Sequence, residues 1–339
     1  MKKWLIFPGL ILVASFTMLY IGYEKKSQAK INGVSFEAPP KAVGAISMES
    51  IRKTRGNWVA ITPYAFIQPD NPRVIFDHPR QWWGERSEGV VSTIRCAQQL
   101  GYQVMLKPHV WVRGQGWPGD LEIATEKDWK LWSESYKAYI MTYATIADSL
   151  EVPLLCIGTE FRKLAVKKPL YWQELIKKVR KAYSGKLTYA ANWDNYENID
   201  FWSDLDYIGI DAYFPLSQQR VPSKAAMMEH WQEIGEKLQD FASLHNTPVL
   251  FTEYGYQSVD YAVAGHWQYD QDSLHVNLQL QADAYEALFK SVWHKDWIAG
   301  GFLWKWHAQH EQAGGPDCKK YTPQNKPALE VIARWYNQN

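Results

Sequence analysis

Two glutamates in this chain lie at the ends of apolar segments, where burying a carboxylate is unfavourable. Glu160 and Glu253 directly follow the apolar runs LLCIGT and PVLFT, which are typical of buried strands. A carboxylate in such a place is costly unless it is paired or has a function. Hydrolysis of a glycosidic bond needs two such groups, one as general acid and one as nucleophile or base. The structural alternative is that both glutamates cap helices or pair with Lys107 or Arg162.

The aromatic content supports the same chemistry. The chain has 18 Trp, 20 Tyr and 12 Phe residues. Flat rings with a polar edge suit the C–H faces of sugars, although they also suit protein interfaces. Because ligand pockets are commonly lined by aromatic and apolar side chains, we favour sugar binding over a protein interface.

Charge and cysteine content exclude several other classes of protein. The formal net charge is +1, from 37 basic and 36 acidic residues, which argues against nucleic acid as a partner. Three widely spaced cysteines form neither a disulfide framework nor a zinc site. His307 and His310 lie three residues apart but lack further ligands, so we expect no metal and no other cofactor.

The elements that must position the two glutamates follow from hydrophobic periodicity. Buried parallel strands are predicted at 33–36, 58–62, 103–107, 154–158, 187–191, 207–211, 248–252 and 301–304. Helical patterns lie at 87–100, 125–150, 170–183, 223–245, 278–294 and 327–336, with a short helix around 198–203. This alternation predicts an α/β fold, a (β/α)₈ TIM barrel, as a single domain over 30–339. No Gly-x-Gly-x-x-Gly follows the first strand, which argues against a dinucleotide site.

Active sites of such barrels lie at the C-terminal ends of the strands. Glu160 and Glu253, on strands four and seven, are expected to face each other there. If the two carboxyls lie about 5–5.5 Å apart, the sugar keeps its anomeric configuration. Charged, amide and aromatic residues replace aliphatic ones at the same level, which a purely structural barrel does not need. The candidates for substrate contact are His109, Trp111, Thr159, Asn192, Trp193, Tyr213 and Trp304.

These residues resemble a known family. The chain resembles the clan A glycoside hydrolases at Thr159-Glu160, at the segment FTEYG that contains Glu253, and at Trp304. Glycoside hydrolase family 113, the β-mannanase-like group, is closer still. The segments KPHVW at 107–111, RGQGWPG at 113–119 and QWWGER at 81–86 are similar to that family. The resemblance covers nearly all of the chain from 31 to 336.

The resemblance implies a retaining mechanism on a β-linked oligo- or polysaccharide, most simply β-1,4-mannan or manno-oligosaccharides. Glu160 matches the acid/base, which requires a raised pKa, and Glu253 matches the nucleophile, which must stay ionised. Tyr213 matches a tyrosine that hydrogen-bonds the nucleophile, and Trp304 matches the aromatic platform under the cleaved sugar. Thr159 stands where most of the clan has an asparagine that binds the sugar 2-hydroxyl.

The N-terminus forms a separate element. Lys2 and Lys3 precede an apolar stretch at 4–23, and a small-x-small cleavage site follows at 27–29. Residues 1–29 are therefore expected to be a signal peptide or a signal anchor. Either places the barrel outside the cytoplasm, as a secreted, periplasmic or membrane-anchored protein. We expect a monomer.

Two other functions remain open from the sequence. The same barrel could hydrolyse a β-glucan or another β-glycoside, because sugar identity depends on one or two hydroxyl contacts. A catalytically inactive, membrane-tethered glycan-binding barrel is the second alternative. The presence of both glutamates argues against the inactive form.

Overall fold

The computed structural model describes residues 29–68, 70–265 and 273–338. Eight of its strands pair in parallel into a closed barrel, in the order β1-β11-β10-β9-β8-β7-β5-β2. The predicted (β/α)₈ TIM barrel is therefore confirmed. The strands are β1 (Ile31–Glu37), β2 (Trp58–Thr62), β3 (Tyr64–Gln68), β4 (Asn71–Ile75), β5 (Gln103–Leu106), β6 (His109–Val112), β7 (Leu154–Thr159), β8 (Lys186–Asn192), β9 (Tyr207–Asp211), β10 (Val249–Tyr254) and β11 (Ile298–Trp306).

Helices cover the outside of the barrel. The described α-helices are α1 (Ile46–Glu49), α2 (Ser87–Gln99), α3 (Glu126–Ser149), α4 (Arg162–Lys167), α5 (Pro169–Ala182), α6 (Lys224–His245), α7 (Leu278–Leu288) and α8 (Ala328–Tyr336). The six predicted long helices match these within a few residues, except that a π-helical turn, Phe289–Trp293, continues α7. The short helix expected around 198–203 is replaced by two 3₁₀ turns, Tyr196–Asn198 and Trp202–Asp204.

Apolar strands arise here because both faces of the sheet are covered. Inside the barrel, one residue from each of several strands packs into a common layer: Ile31, Ala60, Met105, Leu154, Tyr207, Leu250 and Phe302. The opposite strand face packs against helices in the larger core. Gly33 permits this layer, since a Cβ there would stand 2.3 Å from the ring of Phe302.

Helix α3 shows how local signals set the outer ring. Thr125 caps its start, with the side-chain oxygen accepting from the backbone N–H of Asp128. Trp132, Tyr136 and Tyr143 recur at helical spacing and are fully buried against the barrel. The aromatic content that the sequence suggested for sugar binding is thus divided between the cleft and this packing layer.

A second, smaller sheet was not predicted. Strands β3, β4 and β6 pair in the order β4-β3-β6, beyond the C-terminal ends of β2 and β5. Pro63 and Pro108 separate β3 and β6 from the barrel strands that precede them. Each proline interrupts the ladder, so the chain leaves the barrel and forms new pairs above it. This sheet carries His109 and Trp111 to the barrel mouth.

The expected signal or anchor segment, residues 1–29, lies outside the described residues apart from Ala29. Within the part of the chain that the structure describes, no helix is long and apolar enough to cross a membrane.

Candidate active site

A cleft of about 890 Å³ opens at the C-terminal ends of the barrel strands. All nine residues predicted for the site line it, so the structure brings every one of them together. They are His109, Trp111, Thr159, Glu160, Asn192, Trp193, Tyr213, Glu253 and Trp304. Their roles in catalysis and substrate contact stay predictions.

Glu253 lies on β10 and is buried, with 5% of its surface exposed. Each of its carboxyl oxygens has a donor. Lys107 donates to Oε1, and the hydroxyl of Tyr213 donates to Oε2 at 2.8 Å. The Nε2 atom of His109 lies 3.4 Å from Oε1. The carboxylate is therefore held in one orientation, as a nucleophile requires.

Lys107 connects Glu253 to a second buried carboxylate. Its Nζ atom is 2.9 Å from Oδ1 of Asp211, which also accepts from the hydroxyl of Thr252 at 2.8 Å. Burial lowers the pKa of Lys107, but Asp211 and Glu253 outweigh burial and raise it. Lys107 therefore stays an ammonium ion beneath the cleft, and two carboxylates share it.

Glu160 has a different environment. It follows β7 with a backbone φ of 53°, a left-handed conformation that is uncommon for residues other than glycine. Its backbone N–H donates to the carbonyl of Ala190 at 2.8 Å, and its Oε2 atom accepts from the indole N–H of Trp117 at 2.8 Å. No ammonium group contacts its carboxyl among the described residues. The side chain keeps some exposure to the cleft.

These surroundings order the acidities of the two glutamates. Burial, followed by the charges of Asp211 and Glu253, raises the pKa of Glu160 well above its ordinary value. Burial and Asp211 raise the pKa of Glu253 to about 7, against the opposing effects of Lys107 and Tyr213. Because the ammonium of Lys107 and the hydroxyl of Tyr213 both donate to Glu253, its ionised form is the better stabilised of the two, and Glu160 is the carboxyl expected to hold the proton. Such a pair can donate a proton from one carboxyl while the other attacks as a carboxylate.

His109 and Trp304 form one wall of the cleft. Their rings stack with centroids 5.7 Å apart, and His109 also packs against Tyr64 at 4.9 Å. Burial, followed by the charge of Lys107, places the pKa of His109 well below its ordinary value, so its imidazole is neutral. The peptide bond from Trp304 to Lys305 is cis.

The remaining predicted residues lie around the cleft rim or beside Glu160. The hydroxyl of Thr159 points to the carbonyl of Pro108 at 3.4 Å. Asn192 donates to Asp194 at 2.7 Å, and Trp193 packs edge-on against Phe214 at 5.8 Å. Trp111 is 47% exposed, which makes it the open aromatic surface of the cleft.

Several residues of the site were not among the nine predicted from the sequence, and they include Lys107, Asp211 and Tyr321. Lys107 and Asp211 occur in or at the end of apolar strands, the same signal that identified the glutamates. Lys107 was weighed as a structural partner of the glutamates and was part of the family-like segment KPHVW, but it was given no role in the site. Tyr321 lines the cleft from the segment after β11, where no periodic pattern marked it.

The two histidines considered for metal binding have other partners. His307 pairs with Glu37, which Lys305 also contacts, and His310 lies 2.8 Å from Nζ of Lys53. Across the described ranges, no group of three or more His, Cys, Asp or Glu side chains could hold a metal ion.

The chain was compared with protein-family models and with solved structures. The model of Glycoside Hydrolase Family 113 matches residues 40–326. A GH113 β-mannanase from Alicyclobacillus acidocaldarius, solved in complex with ManMIm, is 26% identical; 92% of this chain and 98% of that chain are covered, with a TM-score of 0.79. Two structures described as GH113 β-1,4-mannanase are 25% and 26% identical, cover 92% of this chain and 100% of theirs, and have TM-scores of 0.78 and 0.77. No curated protein sequence matches the chain.

Proposed function

This chain belongs to glycoside hydrolase family 113, and we propose that it is a retaining β-mannanase that hydrolyses β-1,4-mannan or manno-oligosaccharides. In this proposal Glu160 is the acid/base and Glu253 is the nucleophile. The contrast between their environments carries the proposal. Glu253 has the ammonium of Lys107 and the hydroxyl of Tyr213 on its oxygens, whereas the side chain that donates to the Glu160 carboxyl, among the described residues, is the neutral indole of Trp117.

In the first step, Glu253 attacks the anomeric carbon while Glu160 protonates the leaving oxygen. The C–O bond breaks with its electron pair on the leaving oxygen, and a glycosyl ester forms on Glu253. Lys107 and Tyr213 favour the ionised form of Glu253 and hold its carboxylate in position before attack. As the ester forms, the charge on Glu253 disappears, and Lys107 retains Asp211 as its counter-ion.

In the second step, Glu160 is a carboxylate and acts as general base. It takes a proton from water, whose oxygen attacks the anomeric carbon and releases Glu253. Two displacements on the same carbon restore the original anomeric configuration. The high pKa of Glu160 suits this alternation, because the group must accept a proton as readily as it donates one.

The preference for mannan is supported by the mannanases that this chain resembles. A β-glucan or another β-glycoside is the alternative substrate, and a barrel that binds glycan without cleaving it is the alternative function. Thr159 is relevant here, since its hydroxyl points to a backbone carbonyl. We therefore expect a contact to the sugar 2-hydroxyl to come from elsewhere in the cleft, with Asn192 as one amide candidate among the residues that line it.

Product analysis distinguishes these possibilities. The protein is incubated with manno-oligosaccharides and with cello-oligosaccharides of equal length, beside Glu160→Gln as a matched inactive control. The proposal predicts shorter products from the manno series and almost none from the variant. No release from any β-mannoside would contradict the mannan specificity. Full activity of Glu253→Gln on mannan would contradict the assignment of the nucleophile.

We further propose that the chain acts outside the cytoplasm as a monomer. The basic and apolar pattern at 2–23 supports export, by a cleaved signal or an uncleaved anchor. N-terminal sequencing of the protein recovered from a bacterial host distinguishes cleavage from anchoring.

A further inference from the structure

The indole of Trp117 makes the two oxygens of Glu160 unequal. Its Nε1 atom donates to Oε2 at 2.8 Å. In a neutral carboxylic acid, the carbonyl oxygen is the stronger acceptor, so an N–H donor favours the form in which the other oxygen carries the proton. The acid proton of Glu160 therefore belongs on Oε1.

Two further contacts fix the position of that indole. A Cβ at Gly119 would stand 2.1 Å from the Trp117 ring, so the ring occupies the space that a side chain there would need. The guanidinium carbon of Arg162 lies 5.1 Å from the ring centroid, within the range of a cation–π interaction. Arg162 is itself held by Asp120 at 2.7 Å and by Asp194 at 3.4 Å.

The loop that carries Trp117 is shaped for this contact. Val112, the last residue of β6, pairs with Gly116 in a short antiparallel bridge. Gly114 and Gly116 have φ values of 78° and 82°, which glycine adopts at little cost. This tight turn reverses the chain after β6 and returns Trp117 to the side of the cleft where Glu160 lies.

We propose that Trp117, held by Arg162 and Gly119, is a positioning residue that directs the catalytic proton of Glu160 to Oε1. This inference rests on the proposed function, because it takes Glu160 as the acid/base. During the first step, Oε1 gives its proton to the leaving oxygen. The carboxylate that remains keeps the Trp117 N–H on Oε2, so the same bond stabilises the charge that develops.

The effect on acidity supports this role. A hydrogen bond to the charged form of a carboxyl lowers its pKa, and the Trp117 bond opposes the large increase that burial causes at Glu160. Removing the indole N–H should therefore raise the pKa of Glu160 further. If Trp117 only filled space in the loop, its replacement would not raise the pKa of Glu160.

The test compares Trp117→Phe with the unaltered protein over a range of pH. Two substrates are used: a manno-oligosaccharide, whose leaving oxygen needs protonation, and an aryl β-manno-oligoside with an acidic phenol, which does not. On the oligosaccharide we expect kcat/KM to fall about tenfold and its alkaline limb to move up by about one pH unit. On the aryl glycoside we expect the formation of the glycosyl-enzyme to be nearly unchanged.

A matched control is available on the outside of the barrel. Trp129 also has a cation over its ring, with Nζ of Lys168 at 4.7 Å, but it does not line the cleft. Trp129→Phe should leave the pH profile of the enzyme unchanged. Gly119→Ala is a second test that keeps the indole but displaces it, and it should move the alkaline limb in the same direction as Trp117→Phe.

The outcomes separate this inference from the function on which it rests. If the unaltered protein is active and the profile of Trp117→Phe coincides with it on both substrates, the role of Trp117 is refuted and the glycosidase remains. An equal loss on both substrates without a shift in the alkaline limb would also refute it. An unaltered protein that hydrolyses no glycoside would overturn the proposed function together with this role.

Discussion

Lys107 is the cation that allows two buried carboxylates to lie side by side. Its Nζ atom contacts Asp211 at 2.9 Å as well as Glu253, and its side chain has no exposed surface. Lys107→Met keeps most of the side-chain length but removes the charge. Removing one partner from a buried ion pair costs about 3–5 kcal/mol. We expect the variant to lose about that much free energy of unfolding at pH 8.

The loss should depend on pH in a direction that the pKa values determine. The pKa of Lys107 is raised in the folded protein. Its contribution to the free energy of unfolding is therefore fully present below 10.5, the pKa in the unfolded chain, and is lost only as pH rises through the higher pKa of the folded state. The pKa of Glu253 is raised from 4.5 to about 7, so the folded state loses stability as pH rises through that window. Without Lys107 this pKa rises further, and the window extends above pH 7. At pH 5 the carboxyls take up protons, so the variant should lose less.

Urea unfolding followed by tryptophan fluorescence at pH 5 and pH 8 measures both quantities. Lys186→Met is the matched control, because Lys186 lies at the start of β8, at the opposite end of the barrel, and donates to Tyr207 at 2.9 Å. The control should change stability by less than about 1 kcal/mol at either pH. An equal loss for Lys107→Met at the two pH values would refute the shared-cation reasoning.

Three further results are expected. Tyr213→Phe removes a 2.8 Å hydrogen bond to the Glu253 carboxylate, so kcat/KM should fall roughly 10- to 100-fold in steady-state assays, and a change below twofold would contradict that role. The pH profile of kcat/KM should rise to an acid limb near pH 7, where Glu253 ionises, and fall at higher pH as Glu160 loses its proton; activity that declines from pH 5 to 7 would contradict the ordering. Gly33→Ala should lower the free energy of unfolding by about 1–3 kcal/mol in the same urea assay, because a neighbouring ring fills the Cβ position, whereas Gly44→Ala meets nothing within 4 Å and should be neutral.

The barrel could be predicted because its strands are buried on both faces. Continuous apolar runs at β7 and β10 located Glu160 and Glu253 at their ends, and all nine predicted site residues line one cleft. The side sheet of β3, β4 and β6 could not be predicted in the same way. These strands are short, and Pro72 lies inside β4. Their pairing depends on the chain that surrounds the barrel mouth rather than on a local pattern.

The electrostatics of the site depend on contacts far apart in sequence. Lys107 is 104 residues from Asp211 and 146 from Glu253. Only the closed barrel brings those strand ends together. The sequence therefore indicated that charged residues lie at the ends of the strands, but it did not indicate which of them form ion pairs. The contact from Trp117 to Glu160 depends on a glycine-containing turn, whose conformation no periodic signal gives.

The most direct test of the proposed mechanism is to locate the covalent glycosyl-enzyme. The protein is treated with a 2-deoxy-2-fluoro β-manno-oligoside that carries an activated leaving group, digested, and analysed by peptide mass spectrometry. A retaining mechanism with Glu253 as nucleophile predicts one fluoroglycosyl adduct, on the peptide that contains Glu253. An adduct on a different residue, or turnover of the reagent without any adduct and with an inverted product, would contradict it.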